Sequence, residues 1–380
     1  MMQQIQGKLL YILNCILQET PLNADSFKDM EQDEWLQLFN LSRLQGVSAF
    51  IFEKISKAYQ DSKDFPKLPK NVLLNWYAHS TRIEQRMNLI HQKSEEFANE
   101  MANRGLHTLV MKGIAVSAYY PNPKHREFGD LDCYLFEKSA EDVVWGTGYE
   151  KGNLAAESIG CNVKRNFYKH SHINYKGLEI ENHQYFLPIR GRKANKELEK
   201  QLRRCIERMS VEKGGSKLIS PNADFNALFL TAHAMNHFLY ESIKVRHLLD
   251  WALFLKAQQN EVDWKSFWQW CDKMHYTRFV KCLNYLCEGY LGVEMTQRMK
   301  TTQNDENFQV ETLSERVLND MFTGDSVYGK GSSKLNLRMN LVKNFIVSSW
   351  KFHSILQRCM IVELMRQAFS VLWERNPKLE

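Results

Sequence analysis

The stretch "VMKGIAVSAYYPNPKHREFGDLDCYLF", residues 110–136, decides how the chain is read. A short apolar run ends at Lys112-Gly113, a helix-like piece stops at Pro121, and a second apolar run opens with two acids, Asp130 and Asp132. "DLDCYLF" alternates with a period of two, so it is expected to be a strand with both carboxylates on one face. Carboxylates brought that close repel one another, and burying them without a counter-charge is costly. Acids so placed call for a cation.

The sequence on either side shows where this stretch sits. Residues 106 to about 190 read as strand, helix, strand, then "KSAEDVVWGTGYE" as helix and turn. "HSHINYKGLEIENHQYF" follows as two strands joined at "YKG". The expectation is a small sheet with its acids near one edge. Before it, "KLLYILNCILQE" and "DEWLQLFNLSRLQGVSAFIFEKIS" repeat apolar residues at helical spacing. The Pro-containing "DFPKLPKN" then precedes a long helix ending at Gly105, a C-cap residue. After about residue 195 the helical pattern returns, in "KELEKQLRRCIERM", "DFNALFLTAHAMNHFLYES", "VRHLLDWALFLKAQQ" and the Trp-rich "DWKSFWQWCDKM". "FTGDSVYGKGSSKLN" reads as a mobile loop. Its "GKGSSK" lacks the spacing of a phosphate-binding loop. The fold class is α+β, with a helical region over 1–103, an α/β core over 104–192 and a helical domain over 193–380.

Composition narrows the classes. The 380 residues are 44% hydrophobic and 12% aromatic with only 8 prolines, which excludes disorder and fibrous repeats. A net charge of +6, from 50 basic against 44 acidic residues, permits a polyanionic partner without requiring one and argues against long duplex nucleic acid. The 8 cysteines form no CxxC pair and no zinc spacing, as expected of free thiols in a cytoplasmic protein. "LLYILNCIL" lacks the basic start and cleavage site of a signal peptide, and no apolar run reaches membrane-spanning length.

Hard oxygen ligands such as Asp130 and Asp132 suit Mg²⁺ or Mn²⁺, usually shared with nucleotide phosphates. Lys112 and Gly113 stand at a strand-to-helix junction, where glycine admits a phosphate and the helix start offers N–H groups. Arg126, four residues before Asp130, could clamp a phosphate, and Gly129 precedes the acid pair. A third acid would complete a two-metal site. Glu179 and Glu181 are the candidates, with Glu181 preferred because Ile180 flanks it and His183 follows. His183 reads as structural, or as a partner that orients the acids. His233 and His237, at i and i+4 on one helical face, either bind a metal or line a cleft with Arg246 and Asp250. Ala234 stands where a zinc protease needs Glu.

The pattern Lys112-Gly113, then Tyr120-Pro121-x-Pro123-x-x-Arg126-x-x-Gly129-Asp130-x-Asp132, then an acidic strand with a nearby His, resembles the uncharacterised nucleotidyltransferases of the polymerase-beta superfamily. Abortive-infection type nucleotidyltransferases, which act as toxins, share its K-G and D-x-D arrangement. The resemblance implies a minimal nucleotidyltransferase sheet and two-metal transfer of a nucleoside monophosphate from an NTP. Asp130, Asp132 and Glu181 would then be the metal-binding acids, and Lys112, Gly113, Arg126 and Gly129 would lie at the nucleotide. Two departures stand out. Lys-Gly replaces the superfamily's usual Gly-Ser, and Glu replaces the usual third Asp. A degenerate, nucleotide-binding regulator is the rival reading. A kinase is disfavoured because no H-x-D-x-x-x-x-N pattern lies near Asp130. The acceptor, whether a small molecule, a tRNA or a protein, is left open.

Overall fold

The computed structural model describes residues 4–138, 143–144, 147–190, 193–207, 217–300, 308–324, 348–373 and 379. The chain divides into two compact units. One holds Met1–Ser80, Thr231–Gln259 and Asp263–Met365, and the other holds Thr81–Leu230, Asn260–Val262 and Arg366–Glu380.

The first unit is helical. Its N-terminal helices are α1 (Gln4–Leu17), α2 (Gln32–Leu44), α3 (Ser48–Asp61) and the start of α4 (Lys70–Ala102). Helix α2 begins with a capping box, in which the Glu31 N–H donates to the Glu34 carboxylate at 3.0 Å. The apolar stripes meet in an aromatic core. Phe27 stacks on Trp35 at 5.8 Å, and Phe39 packs against Trp76 at 5.2 Å. The Trp76 indole donates to the Ser48 carbonyl at 3.0 Å, so its one polar atom is satisfied although buried.

In the second unit the sheet is built from β1 (His107–Val110), the one-turn helix α5 (Gly113–Ser117), β2 (Leu131–Lys138), β3 (Val143–Val144) and α6 (Thr147–Ser158). Then come β4 (Asn162–Lys164), β5 (His170–Tyr175), β6 (Leu178–His183), α7 (Lys193–Glu207) and β7 (Leu218–Ile219). Helix α8 (Ala223–Tyr240) leads into α9 (Val245–Gln258), α10 (Trp264–Met274), α11 (Thr277–Leu291), α12 (Val310–Thr323) and α13 (Met360–Trp373). The Trp-rich segment forms α10, where Trp264 and Phe267 are buried, so it is core as expected. No helix among the described residues is long and apolar enough to cross a membrane. All eight cysteines are free thiols.

The α+β reading holds, and the sheet is mixed. Its order is β4-β5-β6-β2-β1-β7, with β3 pairing on β2. β1/β2 and β5/β6 run antiparallel, while β2/β6 run parallel. The acids therefore lie on the middle strands β2 and β6. The expectation of an edge position fails because β1, β7 and the β4–β5 pair extend the sheet on both sides. Two further differences concern local elements. "KSAEDVVWGTGYE" is read from sequence as helix and turn, yet Val143–Val144 pair with β2 and the helix starts only at Thr147. β-branched valines favour the strand there. The "GKGSSK" segment, together with most of its loop, lies outside the described residues.

Two features fix the central strands. Lys176 and Gly177 both have positive φ, 51° and 81°, forming the two-residue turn that locks the β5–β6 register. Helix α6 lies close on β2. A Cβ built on Gly148 would come within 2.2 Å of the Leu135 carbonyl oxygen, and one on Gly152 within 2.4 Å of the Leu135 side chain. Below α6, the Asn153 carbonyl oxygen accepts from the Ser171 hydroxyl at 2.5 Å and from the Asn182 amide at 3.0 Å. One face of β2, β5 and β6 is thereby covered, and alternate residues emerge on the other.

Candidate active site

On that other face the strand registers assemble a row of ionisable groups. Asp132 on β2 pairs with Glu181 on β6, and Glu181 pairs with His172 on β5. Directly paired residues point the same way, so the three form a line across three strands. His170 pairs with His183 one step along the same face. Asp130 lies just ahead of β2, which begins at Leu131. The expectation that both acids sit within the strand is thus corrected. The bend at Gly129-Asp130 ends the ladder before that position.

Asp132 is the centre. Its side chain is 4% exposed, and its Oδ1 meets the Lys112 ammonium at 2.7 Å and His183 Nε2 at 3.1 Å. Burial would raise its pKa, but Lys112 and His183 together hold it well below the ordinary carboxylate range. Glu181 Oε2 lies 3.3 Å from His183 Nε2 and 3.5 Å from His170 Nδ1. Burial pushes Glu181 upward, and the His183 hydrogen bond overcomes it, leaving this carboxyl below its usual value. Asp130 moves the other way. Burial and the neighbouring Asp132 raise its proton affinity, against the pull of Lys112. His170 is lowered to about 4 by burial and by the neighbouring His183.

Lys112 reaches Asp132 because the chain is pinned beside it. The Met111 N–H donates to the Asp132 carbonyl at 2.9 Å. Lys112 itself has φ 44° and ψ −131°, a conformation suited to glycine. A lysine held in this conformation carries backbone strain of about 1–3 kcal/mol. Gly113 is buried, and a Cβ on it would come within 3.1 Å of the Phe128 ring, so its lack of a side chain serves packing. Helix α5 is a single turn, shorter than the helix whose start is expected to offer N–H groups at the junction.

Other residues singled out from sequence are spread around this centre. Arg126 is buried, with its guanidinium 5.8 Å over Phe128. Gly129 is exposed beside Arg86, whose guanidinium would lie 3.3 Å from a Cβ there. Glu179 is exposed on β6 and accepts from the Asn174 amide at 2.7 Å. His233 and His237 belong to the helical unit, where His247 joins them, and a nitrogen of each ring lies within 4.8 Å of the others. His237 Nδ1 pairs with Glu241 at 3.1 Å, and His247 Nδ1 accepts the Lys244 N–H at 2.9 Å, a helix-start bond that occupies its lone pair.

Three groups at the acid row go unnoticed in the sequence reading. They are His170, His172 and Lys169, which sits just before β5. Burial and the nearby Lys112 lower the Lys169 pKa, while Asp132 and Glu181 pull it back. Pairing back from the "YKG" turn places His172 opposite Glu181, so the signal was available in the spacing.

The donor set fits a divalent cation. Asp132, Glu181 and His183 bring two carboxylate oxygens and a ring nitrogen within 4.8 Å of one another, and His170, His172 and Glu181 form a second such group. No curated protein matches the chain, and no solved structure does. The family described as uncharacterised nucleotidyltransferase matches residues 31–292, more than half of the chain and the whole acid row. The chain therefore belongs to the uncharacterised nucleotidyltransferase family.

Proposed function

We propose that the chain is a metal-dependent nucleotidyltransferase that moves the NMP of an NTP to an acceptor hydroxyl and releases pyrophosphate. The observation that carries this reading is the Asp132–Glu181 pair on adjacent parallel strands, with the Lys112 ammonium 2.7 Å from Asp132. Bound Mg²⁺ or Mn²⁺ would neutralise the phosphates and steady the entering and leaving oxygens. Asp130, Asp132 and Glu181 would hold it.

The chain's own groups supply the rest. In the transfer the acceptor oxygen bonds to the α-phosphorus as the bond to the β-phosphate oxygen breaks. Pyrophosphate carries off that electron pair. The hydroxyl proton is released to water. Lys112 and Lys169 place positive charge beside the row, where it can meet the β- and γ-phosphates. The Asp132–Lys112 and Asp132–His183 contacts fix the carboxylate before any substrate arrives, and such positioning is the main source of rate in phosphoryl-type transfer. Arg126, Gly113 and Gly129 act one layer out, by shaping the Phe128 segment beneath the junction. The free thiols fit a reducing, cytoplasmic setting. The acceptor belongs to the small-molecule, tRNA or protein class, and the relation to abortive-infection toxins remains a proposal of the same kind.

A second reading has one observation in its favour. Lys112 already engages Asp132, as a regulator that binds NTP without transferring it would allow. Calorimetric titration of each NTP, with and without Mg²⁺, tests the common ground. Binding that needs the cation and is lost in Asp132→Asn supports the site. Equal binding with and without it refutes it.

A further inference from the structure

His183 is completely buried, and its two ring nitrogens have different neighbours. Nδ1 lies 3.1 Å from the Tyr185 carbonyl oxygen. A carbonyl can only accept, so Nδ1 carries the proton. Nε2 then points at two anions, Asp132 Oδ1 at 3.1 Å and Glu181 Oε2 at 3.3 Å. A bare nitrogen lone pair facing two carboxylates is repulsive, so a positive centre belongs where the three atoms converge. Either a second ring proton or a metal cation satisfies that demand. The arrangement matches a ligating histidine in two respects. The far ring nitrogen is anchored on a backbone carbonyl, which fixes ring and tautomer. The near nitrogen shares its target with two carboxylate ligands, and the three are close enough for one ion.

We propose that His183 is itself a metal ligand through Nε2, beside Asp132 and Glu181. This nitrogen donor makes the site select Mn²⁺ over Mg²⁺. The inference rests on the nucleotidyltransferase reading and deepens it, because an all-oxygen site suits Mg²⁺ whereas imidazole suits the later first-row ions. The β5–β6 hairpin supports it. Its locked register brings His170 and His172 beside Glu181, so nitrogen donors surround the third acid.

The test is pulsed electron paramagnetic resonance on the full-length protein loaded with Mn²⁺, with and without a non-hydrolysable NTP. A directly bound imidazole imprints a ¹⁴N modulation on the Mn²⁺ echo, and ¹⁵N-labelled histidine changes it in a defined way. The expected result is a histidine ¹⁴N coupling that disappears in His183→Gln and survives in His170→Gln and His172→Gln. His183→Gln should also cut the Mn²⁺-over-Mg²⁺ preference about 10-fold or more, the scale seen when supporting ligands are removed. If His183→Gln does not fold, the labelled wild-type protein and the other two variants still assign the nitrogen by elimination. Bound Mn²⁺ with no histidine coupling, or a coupling lost in His170→Gln or His172→Gln, overturns the assignment and leaves the carboxylate site standing. No bound Mn²⁺ under either condition overturns both the assignment and the reading beneath it.

Discussion

Lys112 combines a strained backbone with a buried charge, and three substitutions separate the two. Its ammonium is 2.7 Å from Asp132, with side chains 19% and 4% exposed. Removing one partner of a fully buried pair costs about 3–5 kcal/mol. One-fifth exposure of Lys112 and the remaining His183 bond reduce that, so Lys112→Met should cost about 2–3 kcal/mol. Lys112→Ala loses the same charge and keeps the φ of 44°. Lys112→Gly loses the charge and relieves the strain. Relief of about 2 kcal/mol, the middle of the range for such strain, less about 0.5–1 kcal/mol for glycine's greater freedom when unfolded, leaves Lys112→Gly more stable than Lys112→Ala by about 1–1.5 kcal/mol. Urea unfolding followed by fluorescence, read as midpoints with a common slope, gives these differences. NTP titration of the same variants should show all three weakened alike, since each lacks the ammonium. If Lys112→Ala equals or exceeds Lys112→Gly in stability, the strain argument is wrong. If any of the three binds NTP like the wild type, Lys112 has no part in phosphate recognition.

Three more expectations follow from packing and burial. Gly148→Ala drives a methyl into the Leu135 carbonyl and should lower stability by about 1–3 kcal/mol, whereas Gly7→Ala, with open space around it, should be neutral or stabilising by up to about 1 kcal/mol; paired thermal melts would show both. Glu199 accepts the Phe186 and Leu187 N–H groups at 2.9 and 3.0 Å and Arg203 Nε at 3.1 Å, all away from water. Glu199→Ala should therefore cost about 3–5 kcal/mol in urea unfolding, and Glu199→Gln clearly less. Burial against Phe128 lowers the His91 pKa below its ordinary 6.5. Below pH 6.5 the unfolded chain takes up a proton that the folded one refuses, so this contribution to stability is full at neutral pH and lost as pH falls. An NMR titration placing the His91 midpoint at or above 6.5 would contradict that.

Much of this was legible in the sequence because local signals agreed. Helical spacing, Gly105 at the end of α4, where its φ is 76°, and the alternation in "DLDCYLF" each led to an element that forms. Asp132 and Glu181 could be singled out in advance from charge and periodicity. What could not be read depended on tertiary order. The parallel pairing of β2 with β6 puts the acids on middle strands, and neither segment announces its neighbour. The short α5 looked like a phosphate-binding helix start because "IAVSAYY" reads as helix up to Pro121, whereas the helix ends at Ser117. Gly113 looked like a phosphate seat, yet Phe128 fills the space above it. The histidines at 170 and 172 were readable in principle. They needed only the register of the "YKG" turn, counted back six residues.

The central claim, that the acid row transfers a nucleotide, is tested most directly by following label from NTP in the presence of Mn²⁺. Purified protein is incubated with small-molecule and macromolecular extract fractions, in parallel with α-labelled and γ-labelled NTPs, beside Asp130→Asn and Asp132→Asn. The account predicts transfer of the α label alone, with labelled pyrophosphate appearing in the γ arm and both signals lost in the two variants. Transfer of the γ label, or α transfer that survives Asp132→Asn, would contradict it.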